Sequence, residues 1–244
     1  MILRSAARTD VGRRRSTNED CYAIAAELGY FVVADGMGGH KAGQLASQLA
    51  AEAAVRALEA LEGSAATLTE KLRCTVAAAN REIYVAAQTK AEFAGMGTTL
   101  VSLLVAEGRI ALAHVGDSRA YLVRGGRIRQ LTDDHSVVGE LVRRREITES
   151  AAREHPHRHV LTRAIGVRRE VAPDLAELTS SPGDLFILCS DGLTGLVHDE
   201  EIAEAASAGT DLDAICAQLV DLANERGGED NITIVLVRYE KETA

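Results

Sequence analysis

Three aspartates in this chain stand in the same local setting. "VVADGM" closes an apolar run on Asp35, "AHVGDSRAY" closes one on Asp117, and "FILCSDGL" closes one on Asp191. Each time a small residue precedes the aspartate and Gly or Ser follows it. Two acidic pairs do the reverse and open an apolar run: "TNEDCYAIAA" with Glu19 and Asp20, and "GGEDNITIVLV" with Glu229 and Asp230. A carboxylate at a strand end is held by the sheet while facing a rim that ligands can reach. If these ends meet, the rim gathers like charges that repel strongly without a cation between them. Oxygen donors without Cys or clustered His suit hard cations such as Mg2+ or Mn2+. Two such ions a few ångströms apart would clamp a phosphate and activate a water. Gly36 suits such a rim, because a residue without a side chain lets its carbonyl approach a metal closely. An aspartate after a strand is also a common turn former, whose side chain bonds the local backbone. The repetition of the pattern, more than any single instance, argues for a site.

The glycines after Asp35, in "ADGMGGHKAG", follow a strand and open a helix, which is the context of a dinucleotide fingerprint. In that register Lys41 stands where the third glycine belongs. A phosphate P-loop needs Gly-Lys followed by Ser or Thr, whereas here His40 precedes Lys41 and Ala42 follows. Both nucleotide readings fail. His155, His157 and His159 in "EHPHRH" read either as a second metal cluster or as a solvated loop. Ligand histidines need partners that hold the ring, and the surrounding sequence offers none, which favours the loop. Cys189, in an apolar strand beside Asp191, reads as a packing residue.

The elements that must position these groups follow from periodicity. Strand-like runs occur at Cys21–Ala26, Tyr30–Ala34, Leu100–Ala106, Arg109–Val115, Ala120–Arg124, Arg127–Leu131, Leu185–Ser190 and Ile232–Val237. The Gly125-Gly126 pair between two of them predicts a hairpin. Helical periodicity covers Gln44–Leu61, Thr67–Gln88, Ser136–Arg145 and Asp211–Glu225. Helices grouped between runs of strands favour antiparallel sheets with helices packed outside. The polar, irregular segment from Asp133 to Arg169 reads as an insertion. With 244 residues, 46% hydrophobic and only 3% aromatic, the core must be filled mostly by Ala, Val and Leu. With a net charge of −9, nothing suggests the basic face that nucleic-acid binding needs. Four scattered cysteines predict free thiols in a reducing compartment. No signal peptide and no bilayer-length apolar run are evident, so the expected location is cytoplasmic, without membrane contact.

"RSTNED", "VVADGMGGH", "GMGTTL", "HVGDSRAYLVRGG", "HPHRHVLTRAIG", "LCSDGL" and "GGEDNIT" occur in the order and spacing of a known family. From about Thr9 to Val237 the chain resembles the bacterial branch of the PP2C-type metal-dependent protein Ser/Thr phosphatases. The resemblance implies an α+β fold, a four-layer α-β-β-α sandwich of two antiparallel sheets flanked by helix pairs. It implies one phosphatase domain over residues 1–244, with a flap at about residues 133–170 that influences substrate choice. By resemblance, Asp35 bridges two metals and the Gly36 carbonyl binds one of them, while Asp191 and Asp230 are further ligands. Asp20, with Glu19 beside it, resembles the acidic residue that holds metal-bound water. Asp117 resembles the ligand that, with Asp191, forms the third metal site of bacterial members. Arg15 stands three residues before Asn18, where the family places its phosphate-binding arginine, and a guanidinium fork suits two phosphate oxygens. Arg13, Arg14 and Arg15 are consecutive, so this register comes from the motif alone. Family members with a histidine directly after the Asp-Gly use it as proton donor to the leaving group. Here Met37-Gly38-Gly39 intervene before His40, which leaves a structural role for it equally open. Thr98, Thr99 and Arg119 read as structural, through strand packing and a salt bridge.

The expected activity is hydrolysis of phosphoserine and phosphothreonine with Mn2+ or Mg2+, two ions in the core site and a third by analogy with bacterial members. The expected partners are phosphorylated proteins, a Ser/Thr kinase and its substrates, and the expected state is a monomer. Two rival readings are a non-catalytic phosphopeptide-binding pseudophosphatase and a phosphatase specialised for anti-sigma-antagonist regulators. The first would lack a ligand, yet Asp35, Asp191, Asp230 and Arg15 are all present. Members of the second group diverge around the Arg-x-x-Asn-Glu-Asp and Asp-Gly-Met-Gly-Gly-His motifs, which are intact here.

Overall fold

The computed structural model of the chain describes residues 2–39, 41–106 and 108–240. The chain begins with β1 (Ile2–Asp10), β2 (Asp20–Ala25) and β3 (Tyr30–Met37), then two long helices, α1 (Lys41–Glu59) and α2 (Leu68–Ala86). A run of strands follows: β4 (Gly97–Thr98), β5 (Leu100–Ala106), β6 (Arg109–Val115), β7 (Arg119–Arg124) and β8 (Arg127–Gln130). Two short helices, α3 (Val137–Arg143) and α4 (Glu149–Arg153), precede β9 (Asp174–Thr179) and β10 (Leu185–Cys189). The one-turn α5 (Asp191–Thr194), α6 (Asp199–Ala208), α7 (Leu212–Glu225) and β11 (Ile232–Glu240) complete it.

One sheet has the order β1-β11-β10-β7-β8 and the other β2-β3-β5-β6-β9, with β4 added beside the end of β3. Every ladder within the two sheets is antiparallel. Period-two alternation explains the layers. On β3, Phe31 and Val33 face the space between the sheets, while Tyr30, Val32 and Ala34 face α1 and α2. On β11, Val235 and Val237 face that same space, and Ile232, Ile234 and Leu236 face α7. Both faces of each sheet are therefore covered, and the inner strands read as continuous apolar runs. The expected four-layer sandwich is what forms. Alanine fills the outer layer as composition requires: Ala46, Ala50 and Ala54 of α1 are fully buried. Small side chains there let the helix backbone lie close to the sheet.

The predicted hairpin is β7–β8, with Arg124 paired to Arg127 and both Gly125 and Gly126 at positive φ. Thr67, Ser136 and Asp211, read as first helical residues, are N-caps that accept hydrogen bonds from backbone N–H groups of the first turn. β3 runs three residues past the expected end, because Gly36 and Met37 pair with Thr98 and Gly97. Asp35 therefore lies within a strand, not after it. The four cysteines are free.

Candidate active site

The antiparallel register of β2 and β3 sets Asp20 directly opposite Asp35. Asp35 is held from both sides of its own peptide. Its N–H donates to Thr99 Oγ1 (2.9 Å), and its carbonyl accepts from Thr98 Oγ1 (2.8 Å) and Thr99 N (2.9 Å). Gly36 is required by the backbone itself. A Cβ there would lie 2.1 Å from the Gly43 carbonyl oxygen and 2.6 Å from that of Glu19. This crowding is a local reason for glycine additional to the expected carbonyl ligand. Gly116, at φ +113°, turns the chain from β6 into Asp117, where a Cβ would meet the Thr99 side chain at 2.6 Å. Asp191 follows β10 and opens α5, and Asp230 sits just before β11.

Five aspartates thus converge at one end of the sandwich, and their electrostatics shows it. Burial, then the neighbouring Asp20, Asp191, Asp117 and Asp230, holds the Asp35 carboxyl well above the usual carboxylate range. Burial and Asp191 do the same to Asp117. Burial pushes Asp20 up to about 7, with Asp191 and Asp230 adding to the rise and the Ser190 hydroxyl opposing it. Burial, then Asp191, raises Asp230 against the pull of Arg15. Asp20 Oδ1 and Asp191 Oδ1 are buried and accept no hydrogen bond. Three of the other oxygens have partners: Asp230 Oδ2 accepts from Arg15 (2.7 Å), Asp20 Oδ2 accepts from Ser190 Oγ (2.7 Å), and Asp191 Oδ2 lies 3.7 Å from His159 Nδ1. Among the described residues, no three His, Cys, Asp or Glu side chains are already closed into a metal cage. The donor set is nonetheless the right one for hard cations: carboxylate oxygens, two of them buried without a partner.

Arg15 is half-exposed and reaches the cluster across its open side. Its loop is fixed by a residue whose role the sequence reading left unassigned. Asn231 is buried, donates to the Val11 carbonyl (2.9 Å) and the Thr17 carbonyl (3.0 Å), and accepts from Glu19 N (2.7 Å). Ser190, which links Asp20 to the backbone of Thr233, was also unassigned. Both stand directly beside a recognised aspartate, and a small polar residue in an otherwise apolar setting was the available signal. Thr98 and Thr99, read as packing, hold the Asp35 peptide. Arg119 makes the expected salt bridge, a two-pronged contact to Asp134 at 2.8–3.2 Å. Glu19 is buried against Gly43. His40 lies outside the described residues.

The segment between β8 and β9 covers one flank. His135 fastens it to the Asp117 turn, donating its N–H to the Gly116 carbonyl (2.7 Å) and accepting from Gly116 N at Nδ1 (3.1 Å). "EHPHRH" is an exposed turn, as the loop reading expected. His159 alone of its three histidines approaches the carboxylates, a contact that the sequence did not reveal. A cavity of about 370 Å³ opens between this segment and α5, lined by Asp117, Val138, Arg158, His159, Asp191 and Asp230 among others.

Comparison with known proteins agrees with this geometry. The family model described as protein phosphatase 2C matches residues 12–236. The chain is 41% identical over 239 residues to the serine/threonine phosphatase stp of Listeria monocytogenes, covering 94% of this chain and 93% of that one. The crystal structure of the Mycobacterium tuberculosis serine/threonine phosphatase PstP/Ppp superposes with a TM-score of 0.89 at 39% identity, over 99% of this chain and 100% of that one. The catalytic domain of serine/threonine phosphatase PstP, solved in complex with two manganese ions, gives 0.89 at 38% identity, over 98% and 99% of the two chains. The chain belongs to the protein phosphatase 2C family.

Proposed function

We propose that this chain is a metal-dependent protein phosphatase that removes phosphate from phosphoserine and phosphothreonine. The observation that carries the reading is the convergence of Asp20, Asp35, Asp117, Asp191 and Asp230, each of the first three raised or held far from its ordinary titration by the others and by burial. Asp35, the Gly36 carbonyl, Asp191 and Asp230 would hold two Mn2+ or Mg2+ ions. Asp20 and Glu19 would order their outer shell, and Asp117 with Asp191 would take a third. Bound divalent ions supply the positive charge that lets the carboxylates ionise together, and they bring a water's pKa toward neutrality and offset phosphate charge.

The chain's own groups do the remaining work. Arg15 donates only to Asp230 among the described residues, so the rest of its fork is available for two phosphate oxygens. Asn231 holds the arm that carries Arg15, which fixes where the phosphate sits relative to the carboxylates. Hydrolysis forms one P–O bond from water and breaks the ester P–O bond, and a proton must reach the departing serine or threonine oxygen. His40 is the proposed donor. Cys189, the cysteine beside Asp191, takes no part: burial pushes its thiol up to about 12. Residues 133–170 form the proposed flap, whose cavity receives substrate residues beside the phosphorylated one. We assign the whole chain to one catalytic domain.

Substrates are phosphoproteins. The finer reading is a monomeric cytoplasmic counterpart to a Ser/Thr kinase, acting on the kinase and its targets. Among the described residues no helix is long and apolar enough to cross a membrane. The test is phosphate release from a phosphothreonine peptide with Mn2+, with Mg2+ and with EDTA, alongside Arg15→Ala. Metal-dependent release that weakens in the variant supports the reading. A folded protein that binds the peptide and never releases phosphate overturns it in favour of a binding module.

A further inference from the structure

Two loops meet beside the carboxylates: residues 11–19, which carry Arg15 between β1 and β2, and residues 226–231, which carry Asp230 between α7 and β11. Against them lies a polar residue that the chemistry so far does not use. Asn224 stands in the last turn of α7 and is only 5% exposed. Its Nδ2 donates to Oδ1 of Asp10 (3.1 Å), the last residue of β1 and 214 positions earlier in the chain. A carboxylate only accepts, so the amide has one way to point. Asn224 Oδ1 is buried without a hydrogen-bond partner among the described residues. A residue there only for packing would not carry that cost. The same Asp10 oxygen accepts from Gly12 N (2.9 Å), which sets the turn by which the chain leaves β1.

At that turn the two loops are seated on one another. The Gly228 carbonyl accepts from both Arg13 N (2.7 Å) and Arg14 N (3.1 Å). No side chain fits between them. A Cβ on Gly228 would lie 2.6 Å from Asn224 Oδ1 and 2.7 Å from Arg13 N, and one on Gly12 would lie 2.2 Å from the Asp230 carbonyl oxygen. Asn224, Gly228 and Arg13 are therefore packed in line, and Gly12 lies against the backbone of Asp230. Two residues beyond Arg13, Arg15 donates to Asp230 Oδ2 (2.7 Å). Asn231 holds the arm at Val11, Thr17 and Glu19. The stretch between, from Gly12 to Arg14, rests on Asp10, Asn224 and Gly228.

We infer that Asn224 is a positioning residue for the phosphate-binding arginine: through Asp10 and Gly228 it sets where Arg15 stands relative to Asp230, without touching the phosphate. This role deepens the phosphatase reading and rests on it. The experiment is a double-mutant cycle against Arg15→Ala, read as kcat/KM at saturating Mn2+ on a phosphothreonine peptide and on p-nitrophenyl phosphate. Asn224→Ala removes the donor. Asp10→Ala, at a partly exposed strand end, removes the acceptor and serves if the first variant does not fold. Either one lowers kcat/KM about ten-fold, the worth of one hydrogen bond to a charged group. Both substrates lose alike, because the guanidinium meets the phosphate itself. Asp10→Asn, which keeps an acceptor oxygen, stays within about two-fold of wild type. In the Arg15→Ala background the same alanine substitutions cost less than about two-fold, since no guanidinium is left to misplace. A ten-fold loss that persists in that background makes Asn224 merely structural and overturns the inference, as does no loss in the wild-type background. If Arg15→Ala itself changes nothing, or the wild type hydrolyses neither substrate, the phosphatase reading has failed and the positioning role falls with it.

Discussion

The carboxylate floor and the proposed flap, residues 133–170, are built on opposite principles. Asp20 and Asp35 face each other in a continuous ladder, and Asp117, Asp191 and Asp230 stand within two residues of strands buried on both sides. Moving any of them requires moving a sheet. The flap has no ladder of its own. It is tied to the rest of the molecule at isolated points, His135 to Gly116, Arg153 to the Thr194 carbonyl, Ile165 to Thr98, and Asn80 to residues 166–169, while a Ser136–Leu161 bridge joins two of its own residues. Groups that must meet a metal or a phosphorus atom within tenths of an ångström belong on the first kind of support. Groups that choose among protein partners can sit on the second, where stability is local and adjustable.

The sharpest way to break this contrast is at the floor. Asp191→Ala lowers phosphopeptide and p-nitrophenyl phosphate hydrolysis alike, by on the order of 10³-fold, whereas a flap change of equal size spares the small substrate. Steady-state rates on both substrates check it. The floor also carries a stability signature of its own. Asp20 has a folded-state value near 7 against 3.8 for the free group, so the native state binds the extra proton. Its ionisation therefore destabilises the metal-free fold progressively as pH rises from about 4 through about 7, by a few kcal/mol. Thermal melts in EDTA between pH 5 and pH 8 show the fall, Asp20→Asn reduces it while the raised Asp35, Asp117 and Asp230 keep the remainder, and added Mn2+ reverses it.

Arg15 faces the floor from the loop between β1 and β2. Arg15→Ala costs about 10²-fold in kcat/KM with Mn2+ binding retained, while Arg14→Ala costs less than about two-fold. The pair of variants tests a register that three consecutive arginines leave open. Asn231→Leu frees the Arg15 arm and lowers kcat/KM about ten-fold, less than losing the guanidinium itself. Rates at saturating Mn2+ separate the arm's effect from any change in metal affinity.

Legibility in the sequence followed burial. The inner strands announced themselves because both faces are apolar, and the floor was visible because strand, small residue and Asp recur. β1 was unread because this edge strand carries polar residues on both faces, Arg4 and Arg8 on one and Ser5 and Thr9 on the other, and β9 because "DLAELT" is half-exposed at the other sheet's edge. β4 is two residues long and exists only through pairing with β3. α6 begins with three acidic residues and buries only Ile202, Ala205 and Ala206, too thin a stripe to stand out. The five aspartates meet at one end of the sandwich, and motif order together with the recurring strand–small–Asp pattern is what singled them out. Asn80 and Asn231 were invisible as anchors, since each acts on backbone groups far away in the chain, and nothing in their own neighbourhood records that.

The measurement closest to the central claim is calorimetric titration of Mn2+ into the wild-type protein and into Asp35→Asn. The account predicts at least two ions bound per wild-type chain and loss of that binding in the variant, whose fold melts normally in EDTA. A wild-type chain that binds no Mn2+, or a variant that binds it unchanged, would contradict the carboxylate floor as a metal site.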